Sequence, residues 1–381
     1  MNEKFHIEQI LNKNYKSCLL RVDFNVPISD TNIILDNTRI HAVKKTIDLL
    51  INNKIKVILI SHLGRPSGKK NLTFSLNKLV MEIENVLNYK VNFLELDDQQ
   101  IKNKIDAINT NEIILLENIR FFRDEESYSD IFSKKLSSLA DFYINEAFAV
   151  SHRNHSSITG VPLYLPSYMG YKMYDEYTSV LNSNPQFKNS TAIFGGAKID
   201  DKILILQNFI KKVETILIGG GMIKSFINSK DDNYNTAKLI LNNGITKIIL
   251  PEDILIKSNN TIKTKLIQDF SNDDQIVDIG PKSINKYTKI INDSNYILWN
   301  GPMGIFEEKE TSIGTRQIVN SIQDNEAAYT VAGGGSTVQS INQFGNFSNF
   351  NHVSTGGGAF MEFIENGSLP GIDAIIENKT N

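Results

Sequence analysis

The sequence predicts an α/β protein built as two doubly wound parallel-sheet domains joined by a hinge helix. Three observations predict this: the length, a recurrence of short continuous apolar runs, and stretches of helical spacing between those runs. At 381 residues the chain exceeds one ordinary core, since single hydrophobic cores stop growing near about 250–300 residues. Continuous apolar runs alternating with helices indicate parallel strands covered on both faces.

In chain order, strand-length runs rich in β-branched residues fall at 18–22, 57–60, 91–94, 113–116 and 142–144 in the first half. The second half carries them at 192–194, 216–218, 247–250, 276–277, 296–299, 329–331 and 352–354. The pattern breaks near Val161-Pro-Leu-Tyr-Leu-Pro166, where two prolines interrupt it, and 171–181 has the spacing of a connecting helix. The domains are therefore expected at 1–166 and 167–362, with a tail at 363–381 that returns to the first domain.

Composition narrows the function classes. Apolar content of 41% with 22% charge is ordinary for a soluble globular protein. No run approaches the ~18–20 apolar residues that span a bilayer, and the first residues lack the basic-then-apolar order of a signal peptide; a cytoplasmic location and no membrane partner are expected. Cys18 is the single cysteine, which excludes an internal disulfide or a cysteine-built metal site. A net charge of −3 without a basic tract argues against nucleic acid as a partner. Only seven of 40 basic residues are arginine, and six of them precede residue 154. Arginine's rigid fork suits bidentate recognition of phosphate and carboxylate, so the first half is expected to hold a multiply anionic small molecule.

The residues that follow each strand are the most informative, because ligands of open α/β sheets bind at the carboxyl ends of strands. In the first half these are Asp23-Phe-Asn25, Ser61-His-Leu-Gly-Arg65, Glu117-Asn-Ile-Arg120 and Asn145-Glu146. In the second they are Gly195-Gly-Ala-Lys198, Gly219-Gly-Gly221, Asn300-Gly-Pro302 and two glycine triplets, Gly333–Gly335 and Gly356–Gly358. Glycines leading into a helix N-terminus are suited to holding phosphate. Lys198 and Lys202, four apart on a helix expected to begin just after Gly196, oppose the helix dipole unless an anion sits there. One half thus reads as a site for a compact anion and the other as a site for a polyphosphate tail. No P-loop, dinucleotide fingerprint, protein-kinase signature or metalloprotease spacing is present.

Taken together, Arg21-Val-Asp-Phe-Asn-Val-Pro27, Ser61-His-Leu-Gly-Arg-Pro66, Gly195–Lys202, Trp299-Asn-Gly-Pro-Met-Gly304 and Val331–Thr337 resemble the phosphoglycerate kinase family, in that family's order and over essentially the whole chain. The resemblance implies reversible phosphoryl transfer from 1,3-bisphosphoglycerate to ADP, giving 3-phosphoglycerate and ATP, a glycolytic step carried out by a monomer with Mg²⁺ accompanying the nucleotide. It implies glycerate binding by Asp23, Asn25, Arg39, His62, Leu63, Gly64, Arg65, Arg120 and Arg153. It implies nucleotide binding by Gly195, Gly196, Lys198, Lys202, Asn300, Pro302, Glu307, Gly334, Gly335, Ser336, Thr337, Gly356, Gly357 and Gly358. Arg39 and Lys202 would be catalytic, bracing the moving phosphoryl group, and Glu307 would meet the ribose.

The chain departs from the family pattern at three places. Asn145-Glu-Ala-Phe-Ala149 stands where the family has Asn-Asp-Ala-Phe-Gly, and Ile223-Lys-Ser-Phe226 replaces a more apolar continuation. Ser336 stands where the family has the aspartate that helps hold magnesium, so no metal ligand is assigned; serine caps a helix about as well as aspartate but is a poorer ligand for a hard dication. These departures give an alternative: a diverged paralogue that binds nucleotide or phosphoglycerate with little turnover, acting as a regulator.

Overall fold

Residues 3–29, 31–182, 187–197, 199–258 and 261–378 are described by the computed structural model of the chain. Strands β1 (Ser17–Arg21), β2 (Lys56–Ile60), β3 (Val91–Leu94), β4 (Ile113–Leu116), β5 (Phe142–Asn145) and β6 (Ser167–Met169) form one sheet. Its order is β3-β4-β2-β1-β5-β6, and every pairing in it is parallel. Side chains alternate across a strand, and here both faces are covered. Cys18 and Leu20 join Val57, Leu59, Ile113 and Leu115 on one face, while Leu19 joins Ile58, Ile60, Ile114 and Leu116 on the other. Two buried faces are why these strands read as unbroken apolar runs.

The second half contains β7 (Ser190–Phe194), β8 (Thr215–Ile218), β9 (Lys247–Ile249), β10 (Asp253–Ser258), β11 (Thr261–Leu266), β12 (Gln275–Ile279), β13 (Tyr296–Asn300), β14 (Tyr329–Gly333) and β15 (His352–Ser354). Six of them make a second parallel sheet, β15-β14-β13-β7-β8-β9. The other three make an antiparallel sheet, β11-β10-β12. The run at 276–277 therefore belongs to this antiparallel sheet rather than to a parallel one. The hairpin partners went unforeseen because Thr261–Leu266 carries two lysines and two threonines beside only two apolar residues and stays largely exposed.

The chain divides into two compact units, one of Met1–Tyr177 with Ser368–Asn381 and the other of Thr178–Gly367. The division falls inside the helix Tyr171–Asn182, later than the proline-rich stretch at which the sequence pattern breaks. The reason is β6, a three-residue strand between Pro166 and Gly170 that adds to β5 and extends the first sheet. Met173 and Tyr177 on the following helix are also buried. That helix starts at a fixed point: Glu146, a buried residue, accepts hydrogen bonds from Met173 N at 2.9 Å and from the Thr46 hydroxyl. Thr46 Oγ1 in turn accepts from Tyr171 N at 3.2 Å. The segment after Gly367 packs on the first unit, with Gly371 N donating to Ser151 O at 2.8 Å and Asn378 Nδ2 to Leu165 O at 2.7 Å.

Candidate active site

In the first sheet the chain passes from β1 to β2, out to β3 at one edge and back to β4 between them, then fills the other edge with β5 and β6. The switch point lies between β1 and β5, and ligands bind beyond the carboxyl ends of strands at such points. Asp23, just past β1, is nearly buried, and its carboxylate accepts from Arg39 Nη1 at 2.5 Å and from Asn25 N at 3.2 Å. Asn25 Oδ1 accepts from Gly64 N at 2.9 Å, which ties the turn after β2 to the turn after β1. Gly64 has φ +61°, and a Cβ there would lie 2.3 Å from the Phe74 ring, so the turn requires glycine. Arg120 Nη1 donates to Gly64 O at 3.0 Å, and Arg120 Nε lies 3.2 Å from Glu126 Oε1. Leu63 contributes its carbonyl, which accepts from Asn118 Nδ2 at 2.8 Å.

His62 is 2% exposed, with Nδ1 3.2 Å from Arg21 Nη2 and 3.8 Å from Asp23 Oδ1. Burial, then Arg21, Arg120 and Arg39, push its pKa well below the ordinary 6.5, so the ring is neutral at pH 7. His155 is pushed down to about 3 by burial and by Arg120, Arg21 and Arg153. Asp23, Asn25, Arg39, His62, Leu63, Gly64 and Arg120 are thus held in one bonded or near-contact cluster. Arg65 and Arg153 are exposed on its neighbouring loops, and neither guanidinium has an ion-pair partner among the described residues. Arg21, fully buried beneath the cluster, was given no role by the sequence pattern. Its position at the end of a strand buried on both faces was the available signal.

The second sheet has a different strand order, β8 and β9 on one side of β7 and β13, β14 and β15 on the other, which puts its switch point between β7 and β13. A cavity of about 680 Å³ lies there, in the range of small-molecule sites. Gly195, Gly196, Ala197 and Lys202 line it after β7, and Asn300, Gly301 and Pro302 after β13. Gly334, Gly335, Ser336 and Thr337 line it after β14, and Gly357, Gly358 and Met361 after β15. Two helices, Gly335–Phe344 and Gly358–Asn366, open their N-termini onto this space and present unpaired N–H groups and positive dipole ends.

Glycine is needed where backbones nearly touch. A Cβ on Gly301 (φ +95°) would lie 2.2 Å from Gly195 O, and one on Gly334 (φ +102°) would lie 2.5 Å from Asn300 Nδ2. Asn300 Nδ2 donates to Gly333 O at 2.6 Å and Gly301 N to Thr337 Oγ1 at 2.7 Å. The side chains of Asn300 and Thr337 therefore hold the wall together. Below that wall Asp278 accepts from Gly314 N at 2.7 Å and Ile279 N at 2.9 Å, and burial pushes its carboxyl up to about 7.

The α-helix after β7 begins at Ile203, with Lys202 as its N-cap, later than a start just after Gly196. Gly196 at φ +116° turns the chain instead, its N–H bonding Pro302 O and its carbonyl receiving Met222 N. Lys198 lies outside the described residues. Glu307 sits on the exposed segment beyond Gly304 and is not among the residues lining the cavity, and Gly356 precedes the lining pair Gly357 and Gly358. Ala197, Gly301 and Met361 line the cavity without having been singled out; Met361 follows Gly358 at i+3, a helical neighbour of the glycine triplet. Among the described residues no group of three or more His, Cys, Asp or Glu is placed to hold a metal ion.

An arginine-and-imidazole cluster on one parallel-sheet unit and a cavity walled by glycines and helix N-termini on the other make two separate sites suited to anionic ligands. Comparison with known proteins makes this particular. A family model described as phosphoglycerate kinase matches residues 7–367. The phosphoglycerate kinase of Finegoldia magna is 41% identical over 389 residues, covering 96% of this chain and 98% of that one. That of Thermosipho africanus is 38% identical over 400 residues, covering 99% of each. Among solved structures, phosphoglycerate kinase from Coxiella burnetii matches with a TM-score of 0.87 at 29% identity over 98% of both chains. The chain belongs to the phosphoglycerate kinase family.

Proposed function

We propose that this chain catalyses reversible phosphoryl transfer from 1,3-bisphosphoglycerate to ADP, yielding 3-phosphoglycerate and ATP. The observation that carries the reading is the presence, in one chain of this family, of an anion-binding cluster at one switch point and a glycine-walled cavity at the other. An acyl phosphate is already activated, so the enzyme has to align donor and acceptor, exclude water and stabilise charge on the equatorial oxygens. The neutral His62, Arg65, Arg120 and Arg153 would hold the glycerate and its stable phosphate, with Asp23, Asn25, Leu63 and Gly64 shaping the turns that carry them. Arg39, held at one nitrogen by Asp23 and otherwise half-exposed, would reach the transferring phosphoryl group. Lys202 and Lys198 would meet the nucleotide phosphates, with Lys202 bracing the moving group. Glu307 would approach the ribose.

Mg²⁺ enters as part of the substrate, carried on the nucleotide's phosphates. Ser336 offers a neutral oxygen beside them, and Mg²⁺ characteristically keeps several waters and leans on substrate phosphates. We further place the enzyme in the cytoplasm as a monomer without nucleic-acid or membrane partners; among the described residues no helix is long and apolar enough to cross a membrane. No observation favours the regulator alternative. A coupled assay of 3-phosphoglycerate with ATP across a Mg²⁺ titration tests the reading: sustained turnover supports it, and nucleotide binding without turnover overturns it.

A further inference from the structure

Arg21 is fully buried, so it does not reach the surface of the anion cluster, yet all three of its nitrogens are committed. Nε donates to Ser157 Oγ at 3.0 Å, Nη1 to Val22 O, and Nη2 faces His62 Nδ1 at 3.2 Å. A guanidinium has donors only and stays charged. His62 Nδ1 must therefore accept, and a neutral imidazole with an accepting Nδ1 carries its single proton on Nε2. The other charged groups near this ring are Asp23, with Oδ1 at 3.8 Å from Nδ1, and Arg120 and Arg39, of which the two arginines disfavour a second proton on it; the neighbouring His155 is itself neutral near pH 7, its pKa pushed down to about 3.

The buried guanidinium is tied back into the core through Ser157. Ser157 Oγ, while accepting from Arg21, donates to Glu125 Oε1 at 2.6 Å, and Ser157 N donates to Glu125 Oε2 at 2.9 Å. Glu125 is also fully buried, which pushes its carboxyl above the ordinary range, and carboxyl, hydroxyl, guanidinium and imidazole form one chain from the core to the site. Tyr143 OH donates to Ser157 O at 2.8 Å and fixes the backbone of the middle member.

We propose that Arg21 is a positioning residue that locks His62 as the Nε2–H tautomer, so that the ring offers its anionic ligand a neutral, pre-aimed N–H donor, with Ser157 and Glu125 holding Arg21 in register. This rests on the reading that the glycerate lies at His62. A neutral donor recognises a carboxylate or phosphate oxygen without titrating near pH 7, which leaves the charge at this site to the arginines.

The test is the two-bond ¹H–¹⁵N spectrum of the full chain labelled at its six histidines, with His62 assigned from the signals lost in His62→Gln. The expected result is a pyridine-type Nδ1 and a pyrrole-type Nε2 for His62, unchanged across about pH 6–8. A protonated Nδ1, or an even mixture of tautomers, in the unaltered protein overturns the assignment. In Arg21→Met the tautomers should mix, and KM for 3-phosphoglycerate should rise by about tenfold or more, the loss of one hydrogen bond from a charged group, with nucleotide KM unchanged. If that variant does not fold, Ser157→Ala gives the same reading in milder form, and an unmixed tautomer with unchanged KM in Ser157→Ala counts against the relay. Saturating 3-phosphoglycerate should shift the His62 signals. Unmoved signals together with the expected tautomer would overturn the placement of the glycerate while leaving Arg21's hold on the ring standing.

Discussion

Replacing Glu146 with Gln should flatten the pH dependence of stability. Glu146 is buried at the start of the helix Tyr171–Asn182, and burial pushes its carboxyl from the ordinary 4.5 up to about 7 against the pull of Thr46 and Met173. A rise of that size, at 1.36 kcal/mol per pH unit, corresponds to roughly 3 kcal/mol. The sign follows from proton linkage. Between the two values the folded state binds more protons than the unfolded state, so the contribution is complete below about pH 4.5, falls as pH rises, and is lost above about pH 7. Glutamine has the same shape and no charge. It can accept from Met173 N with its oxygen and offer its amide to Thr46, so near pH 5 the two proteins should be about equally stable, and near pH 8 the variant should be more stable by up to about 3 kcal/mol. Denaturant midpoints at matched pH values measure this, with exchange of the Met173 amide as the local readout. Asp278, raised to about 7 in the other unit, contributes with the same sign but is present in both proteins and cancels in the difference. A stability difference that stays constant across that range would refute the assignment of a mostly protonated Glu146.

Arg39→Ala should lower turnover by about 10³-fold or more, the scale seen for a single arginine on a transferring phosphoryl group, while nucleotide affinity measured by calorimetry changes little; turnover within tenfold of the parent would remove Arg39 from that role. Ser336→Asp should tighten binding of the Mg²⁺–nucleotide complex relative to free nucleotide, and an unchanged Mg²⁺ dependence would place the metal away from this residue. Gly334→Ala should cost about 1–3 kcal/mol from its left-handed backbone and its approach to Asn300. It should weaken nucleotide binding by tenfold or more while 3-phosphoglycerate affinity is retained, and equal losses at both sites would indicate general unfolding instead.

Much of the architecture is legible because buried parallel strands leave an unmistakable trace: Ile113–Leu116 could be little else. Elements without that trace were missed. Ser167–Met169 is too short and too closely flanked by Pro166 and Gly170 to show periodicity, and Asp253–Ser258 with Thr261–Leu266 is mixed in polarity because one sheet face is wet. The positions of chemistry-bearing residues could be read where they follow a strand directly, as with Asp23, His62 and Gly195. Their hydrogen-bond partners could not. The pairing of Arg21 with His62 joins residues 41 apart in sequence, and that of Glu146 with Thr46 residues 100 apart; sequence spacing holds no record of such encounters. Helix starts were blurred where backbone–backbone contacts set them, as at Gly196, whose bonds to Pro302 and Met222 depend on how three loops meet.

The residues after Ser368 bury Leu369, Ile372 and Ile375 completely, and they do so against a unit whose other residues end at Tyr177. On the ribosome, this gives the two units different waiting times. The residues of the second unit are contiguous and are all available once Gly367 has emerged. The first unit must hold an incomplete surface, including the Ser151 carbonyl that Gly371 later takes up, while the whole intervening unit is synthesised. At roughly 5–20 residues per second that interval is on the order of ten seconds or more. The unit synthesised first is thus the one finished last, and the exposed seat for Leu369–Ile376 is where a nascent chain of this protein would most need shielding from other chains.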